Sequence, residues 1–181
     1  SSPTRRSSAL SSPFRTSAAT PLVVREASAW RLDVAPGRLV ANPNCVAAIA
    51  AVVRAPMHAR RLIVRLVGST YQAASGAGAA AMAELRDSTA AALAGEAYPP
   101  QVLAHPYAFN LFSHDAEIDP ETGYNGEELK VMAALRKLPA APDPPARFTS
   151  QRVPRRRRPA LAPTARSAHA ADSGGAAPAC A

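Results

Sequence analysis

Aromatic and other large apolar side chains are scarce in this sequence. Only 5% of its 181 residues are aromatic, whereas 18 are proline. Large apolar residues are few relative to alanine, which buries little area per residue. We therefore expect at most one ordinary domain, with less than the whole chain folded.

Cysteine is nearly absent as well. Cys45 and Cys180 are too few for the disulfide framework of a small secreted domain, which favours a reducing compartment. No apolar run is long enough to span a bilayer. The first residues contain neither an initiator methionine nor a hydrophobic signal core, so secretion is not indicated.

Acidic residues are missing from both ends of the chain. The formal net charge is +8 and the pI is about 10.5. Glu26 is the first acidic residue, and Asp172 is the only one after Arg147. So basic a chain suggests nucleic acid or an acidic surface as partner. The charge belongs to the ends, however, because the middle is closer to neutral.

The same two ends show no sustained hydrophobic periodicity. Residues 1–25 are rich in Ser, Arg and Pro and are predicted to be disordered. Their acid-poor composition also resembles an organelle transit peptide, so we expect a cytoplasmic or plastid location. Residues 139–181 are predicted to be a low-complexity Pro/Ala/Arg tail. A frame-shifted or mis-spliced reading of a GC-rich gene would produce similar compositions.

Residues 26–138 instead alternate between strand and helix patterns, which indicates an α/β to α+β domain. Strands are predicted at 37–41, at 61–71 with Leu62, Val64 and Leu66 on one side, and at 107–112. A glycine-rich turn is predicted at 75–78. Helices are predicted at 45–53, ended or kinked by Pro56; at 79–94, closed by Gly95; and at 125–138, begun by Asn125 with Glu128 as a capping box.

The predicted helix start places Cys45 where a thiol can become reactive. A helix N-terminus lowers the pKa of a cysteine thiol, and the thiolate is the nucleophile. From the residue type alone, a buried structural cysteine is the commoner interpretation.

Two motifs together add a family resemblance. Asn42-Pro43-Asn44-Cys45, and after it Thr70-Tyr71-Gln72-Ala73-Ala74-Ser75-Gly76-Ala77-Gly78, resemble the aspartate-semialdehyde dehydrogenases. The related N-acetyl-glutamyl-phosphate reductases usually carry glycine in place of Asn44. The resemblance implies an incomplete catalytic and dimerisation domain, a mixed sheet with helices, over residues 26–138. It also implies that most of the N-terminal dinucleotide-binding domain is lacking.

The resemblance implies an activity and a set of residues for it. The family reduces β-aspartyl phosphate to aspartate semialdehyde with NADP as cofactor, on the route to lysine, threonine and methionine. Cys45 would form the thioester and Gln72 would position the carbonyl, while Ser75 and Gly76 would contact NADP. The implied phosphate-binding residues are Arg31, Asn44 and Lys130, and the residues for the amino acid are Glu127 and Arg152.

The match departs from the family after Gln151-Arg152-Val153-Pro154. The family's catalytic histidine follows such a segment, but here Arg155 to Arg158 follow it, and His169 lies too far along. His58 and His114 match structural positions. We therefore expect a weakly active or inactive homo-oligomeric member that binds a small-molecule substrate and no membrane. The alternatives are a non-catalytic dimerisation remnant and, less favoured, a nucleic-acid-binding chain that uses the arginine run.

Overall fold

The computed structural model describes residues 7–9, 17, 20–28, 39–114, 116–138 and 144–169. The helices are α1 (Arg25–Ser28), α2 (Cys45–Arg61), α3 (Ala79–Ala94) and α4 (Gly126–Lys137), and a 3-10 turn covers Ala74–Ala77. The strands are β1 (Ser7–Ala9), β2 (Leu39–Ala41), β3 (Ile63–Gln72), β4 (Phe112–Ser113), β5 (Ala146–Arg152) and β6 (Ala160–Ser167). No helix in these ranges has the length and apolar content needed to cross a membrane.

The strands form two sheets. β1 and β2 pair in parallel, and a second sheet has the order β4-β5-β3-β6. The ends of β3 and β5 show that these strands are parallel, because Leu66 N–H donates to Pro145 O at 3.0 Å and Val153 N–H donates to Gln72 O at 3.1 Å. β4 runs antiparallel to β5. The predicted mixed sheet with helices is therefore confirmed.

Compact packing divides the chain into two units. The first comprises residues 1–67, 130–147 and 163–181, and the second comprises residues 68–129 and 148–162. In the second unit α3 packs over a core of Ala74, Ala81, Leu85, Leu103, Tyr107 and Phe112. Buried Glu84 on this helix accepts backbone N–H groups from Gln101 and Val102, which attaches the following loop to it.

Helix α2 begins where the sequence predicts and ends later. Asn44 Oδ1 accepts the N–H groups of Val46 and Ala47 at 2.8 and 3.4 Å, as an N-cap does. Pro56 is expected to end or kink α2; it lies inside the helix, so the first of these alternatives is wrong. A proline inside a helix removes its own N–H and crowds the carbonyl four residues earlier, so packing has to offset the cost. The buried side of α2 continues past Pro56 to His58. Packing on that side therefore holds the helix both before and after the proline.

The junction of α2 and β3 removes Leu62 from the predicted strand. Leu62 adopts a left-handed conformation with φ of 47° and caps α2 by donating its N–H to His58 O at 3.0 Å. His58 Nδ1 accepts the N–H of Ile63 at 3.1 Å, in keeping with the structural role expected of it. Val64 and Leu66 therefore share one side of β3, as predicted, with Leu66 buried and Val64 half-buried. Ile63 is buried on the opposite side, where the strand begins.

Two helix predictions in the second half of the domain are confirmed. Gly95 ends α3 with φ of 75°, and its N–H donates to the carbonyls of Ala91 and Ala92. Asn125 and Glu128 form the predicted capping box of α4, with reciprocal bonds of 2.9 Å. The aromatic strand at 107–112 is much shorter than predicted, since β4 contains only Phe112 and Ser113.

Regular elements also occur where the sequence predicts disordered or low-complexity segments. β1 falls within residues 1–25, and β5 and β6 fall within 139–181. In β5, Ala146, Phe148, Ser150 and Arg152 alternate with exposed or half-buried residues, a strand period that the surrounding Pro, Ala and Arg residues obscure.

Candidate functional site

The candidate site lies at the carboxyl ends of β3 and β5. The two end hydrogen bonds place residues of β3 beside residues of β5 on one buried face. From the start of the strands to their carboxyl ends, the pairs are Leu66 with Ala146, Gly68 with Phe148, Thr70 with Ser150, and Gln72 with Arg152. The face thus changes from apolar to polar along the strands. In sheets with parallel strands, ligands bind at the carboxyl ends.

Several buried polar atoms at this end have no hydrogen-bond partner among the described residues. They are Thr70 Oγ1, Gln72 Nε2 and Ser150 Oγ. Buried polar atoms are nearly always satisfied, so unsatisfied ones indicate a place for a water molecule or a ligand. The amide of Gln72, which is only 5% exposed, can donate to a carbonyl oxygen there.

Arg152 is the cation of this buried face. One of its guanidinium nitrogens lies 3.2 Å from His114 Nε2, and the backbone N–H of His114 donates to Ser150 O at 3.1 Å. The N–H of Ala116 also points at His114 Nδ1, at 3.3 Å, and a neutral imidazole accepts at only one of its nitrogens. The tautomer therefore decides whether His114 accepts from Arg152 or from Ala116. His114 and Arg152 thus lie within hydrogen-bond distance of each other. The sequence predicts a structural role for His114, and the structure adds this contact with Arg152, which no local pattern indicates.

The first turn of α4 is fastened to β5 by Glu128. Its Oε2 accepts the N–H of Asn125 at 2.9 Å, and its Oε1 accepts the N–H of Ser150 at 2.6 Å. The capping box is visible in the sequence, but the bond to Ser150 is not, because it joins residues distant along the chain. Half-buried Glu127 is adjacent in the same turn. This unit thus brings together Gln72, Arg152 and the turn that carries Glu127.

The glycine-rich turn differs from its expected role in one respect. Ser75 and Gly76 are expected to contact NADP, and backbone N–H groups without a partner in the chain would favour contact with its phosphates. Instead Ala74 N–H donates to Arg155 O at 2.8 Å and Ser75 N–H donates to Arg156 O at 3.0 Å. The N–H of Gly76 donates to Ala73 O at 3.1 Å. A side chain added at Gly76 would meet nothing within 4 Å, so the turn still permits close approach.

The other predicted site residues lie in the first unit or outside the residues that the structure describes. Cys45 is the first residue of α2 and is exposed, which confirms its predicted place at a helix start. Asn44 uses its side-chain oxygen for the helix cap, so a phosphate would have to be bound through Nδ2. Lys130 is exposed on α4. Arg31 lies outside the described residues.

Metal-binding chemistry has no support in the parts of the chain that the structure describes. No group of three or more His, Cys, Asp or Glu side chains there is placed to hold a metal ion.

Residues 55–158 match the family model described as "Semialdehyde dehydrogenase, dimerisation domain". The chain is 40% identical to the aspartate-semialdehyde dehydrogenase of Synechocystis sp. over 144 residues, which are 80% of this chain and 42% of that protein. It is 42% identical to the enzyme of Rickettsia bellii over 129 residues, 71% of this chain and 38% of that protein. The chain thus spans about two fifths of the length of these curated relatives.

Solved structures show the same similarity. Aspartate semialdehyde dehydrogenase II from Vibrio cholerae superimposes with a TM-score of 0.86 at 27% identity, over 95% of this chain and 51% of that one. The same protein has been solved complexed with ASA. An aspartate semialdehyde dehydrogenase with NADP from Candida albicans shares the fold, with a TM-score of 0.61 at 17% identity, over 92% of this chain and 45% of that one.

Proposed function

The chain belongs to the aspartate-semialdehyde dehydrogenase family, and on that premise we propose that it carries part of a site for reductive dephosphorylation of β-aspartyl phosphate. The product would be aspartate semialdehyde, a precursor of lysine, threonine and methionine. The observation that carries this proposal is the buried pair of Gln72 and Arg152 at the carboxyl ends of two parallel strands.

The polar face supplies groups suited to an amino-acid substrate. Arg152 would grip the carboxylate, because a guanidinium matches a carboxylate with two parallel hydrogen bonds. Glu127 would bind the amino group. The amide of Gln72 would donate to the carbonyl oxygen of the reacting carbon, where negative charge develops. Its unpartnered Nε2 supports that role.

Cys45 would be the nucleophile. Its thiolate would attack the acyl carbon and form a C–S bond, while the C–O bond to phosphate breaks and phosphate leaves with the electron pair. The exposed position of Cys45 on the first turn of α2 supports this role. Arg31, Asn44 and Lys130 would hold the phosphate group, for which their side-chain N–H donors are suited.

The nicotinamide end of NADP fits the glycine-rich turn only in part. Gly76 offers open space for close approach, but the N–H groups of Ser75 and Gly76 already have acceptors within the chain. We therefore propose contact with the ribose or nicotinamide there, and no coordination of phosphate by these amides. NADPH, when bound, supplies the hydride for the reduction.

We further propose that activity is weak or absent. No histidine occurs between Pro154 and Ala168, where the family resemblance leads us to expect the general acid and base. Loss of such a group typically slows a reaction by about 10²–10⁴-fold. The acylation of Cys45 by an acyl phosphate depends less on that group, because phosphate is a good leaving group even without protonation.

Acylation is accordingly the step to measure. Incubation with β-aspartyl phosphate should leave one aspartyl adduct on the chain, located on Cys45 by peptide mass spectrometry. Cys45→Ala should abolish the adduct, whereas Cys180→Ala is the matched control and should retain it. Gln72→Leu should slow its formation by about 10²-fold, as does loss of an oxyanion donor. An adduct that survives Cys45→Ala, or none in the unaltered chain, would refute the proposed chemistry.

A second candidate function is non-catalytic self-association. It is favoured by four arginines where the resemblance leads us to expect the catalytic histidine, and by the match to a dimerisation domain. Such a chain would pair with itself or with an intact relative. It would show no acylation but a clear dimer. For either candidate we propose a cytoplasmic or plastid location, which a fluorescent fusion would test.

A further inference from the structure

Arg155 to Arg158 form an exposed loop of four consecutive cations, here named the arginine loop. All four residues are exposed. No ion pair joins these four side chains to another residue in the part of the chain that the structure describes. Neighbouring Cα atoms are about 3.8 Å apart, which is less than the Debye length of about 8 Å at physiological salt. Adjacent charges of the loop therefore repel one another, and a bound anion would offset that repulsion.

The backbone of the arginine loop is held in place. The carbonyls of Arg155 and Arg156 accept the N–H groups of Ala74 and Ser75, and Val153 N–H donates to Gln72 O. Arg158 then turns the chain with φ of 67° before β6 begins. These bonds use backbone atoms only, so the loop can keep its course whatever side chains it carries. The guanidinium groups accordingly start from an ordered backbone.

We propose that the arginine loop is a binding site for a compact polyphosphate anion. The amides of the glycine-rich turn already have acceptors in the chain, so the anion-binding groups at this edge are the guanidinium groups. Guanidinium groups match phosphate oxygens in paired hydrogen bonds and stay charged at all relevant pH values. The inference concerns anion binding alone and does not depend on the proposed reaction.

The surroundings of the loop favour a small anion over a nucleic acid. Single-stranded nucleic acids bind to basic grooves that also present aromatic side chains for base stacking. No Phe, Tyr or Trp occurs between Val153 and His169. Prolines flank the four arginines at Pro154 and Pro159, so the positive charge is concentrated rather than drawn out along a groove.

Calorimetric titration of the full chain with sodium tripolyphosphate tests the proposal. Replacing all four loop arginines with glutamine should weaken binding about tenfold or more, since four exposed ion pairs would be lost. The matched control removes the same charge from four exposed positions outside the loop, namely Arg60→Gln, Arg65→Gln, Arg136→Gln and Arg147→Gln. The affinity of that variant for tripolyphosphate should stay within about threefold of that of the unaltered chain. Its removed charges act on the loop only over a long range, where salt screens them.

Three results would overturn the proposal. One is equal weakening in both quadruple variants, which would indicate net charge alone. Another is tripolyphosphate binding no tighter than sulfate. The third is tight binding of a single-stranded oligonucleotide with none of tripolyphosphate, which would make the loop a nucleic-acid surface. Cys45→Ala should bind tripolyphosphate like the unaltered chain, so failure of the reaction and failure of the anion site are distinguishable.

A second measurement covers the case in which the loop variant does not fold. Tripolyphosphate should protect the loop arginines of the unaltered chain from an arginine-specific dicarbonyl reagent, with Arg60 and Arg136 modified as before. Peptide mass spectrometry would measure the extent of modification of the loop arginines and of Arg60 and Arg136 in one sample. Loop arginines modified at the same rate with and without the anion would contradict the proposal.

Discussion

At the scale of single residues, the molecule keeps polar atoms buried without partners. Thr70 and Ser150 are fully buried, and each has a hydroxyl oxygen with no acceptor or donor among the described residues. An unsatisfied buried hydroxyl typically costs about 1–3 kcal/mol of stability. Such costs persist where function needs the group, and these hydroxyls lie next to Gln72 and Arg152 on the same face.

Thr70→Val tests whether this cost is present. Valine keeps the shape and removes the hydroxyl, so the free energy of unfolding should rise by about 1 kcal/mol. Thr149→Val, on the exposed side of β5, is the matched control and should change it by less than about 0.5 kcal/mol. Urea denaturation measures both. A destabilised Thr70→Val would instead show that a bound water satisfies the hydroxyl.

At the scale of elements, the ring of Phe148 on β5 occupies the space where a side chain of Gly68 on β3 would lie. A Cβ at that position would lie 2.4 Å from Phe148 Cε1 and 2.8 Å from Cδ1. The aromatic ring of β5 thus covers the glycine of β3, and the apolar half of the shared face depends on this fit. The polar half of the face begins with the next pair of residues, Thr70 and Ser150.

Gly68→Ala should therefore destabilise the sheet. Overpacking of a core typically costs about 1–3 kcal/mol. Gly76→Ala is the matched control, because a Cβ there meets nothing within 4 Å and its φ is not positive. Thermal and urea unfolding should separate the two variants. Adding Phe148→Leu should restore part of the stability lost in Gly68→Ala. Equal stability of the two alanine variants would contradict this account of the sheet.

At the scale of the whole molecule, the family match points to self-association. Val67, 37% exposed, lies on the outward side of β3, an inner strand of the sheet. A single exposed apolar residue is ordinary on a protein surface, so the expectation of pairing rests on the family match, and Val67 is the position at which we test it. The dimerisation-domain match covers this strand.

The chain should sediment as a dimer at micromolar concentration, with a thermal midpoint that rises with concentration. Val67→Lys should weaken the dimer about tenfold or more, because it would place a charge in an apolar contact. Val102→Lys, at an exposed loop position, is the matched control and should leave association unchanged. Sedimentation velocity over a range of concentrations measures this. A monomer at every concentration would rule out the association.

The features that the sequence by itself determined are those built from neighbouring residues. The helix starts at Cys45 and at Asn125 with Glu128, and the helix end at Gly95, depend on bonds within one or two turns. Family membership follows from short motifs of the same kind.

Only the tertiary structure decided the rest. Pro56 does not end its helix, the amides of the glycine-rich turn bond to the arginine loop, and Glu128 reaches Ser150. The register that sets Thr70 beside Ser150 and Gln72 beside Arg152 depends on how two distant strands pair. Packing and hydrogen bonds between distant segments outweigh local preference at these positions, and no local pattern records them.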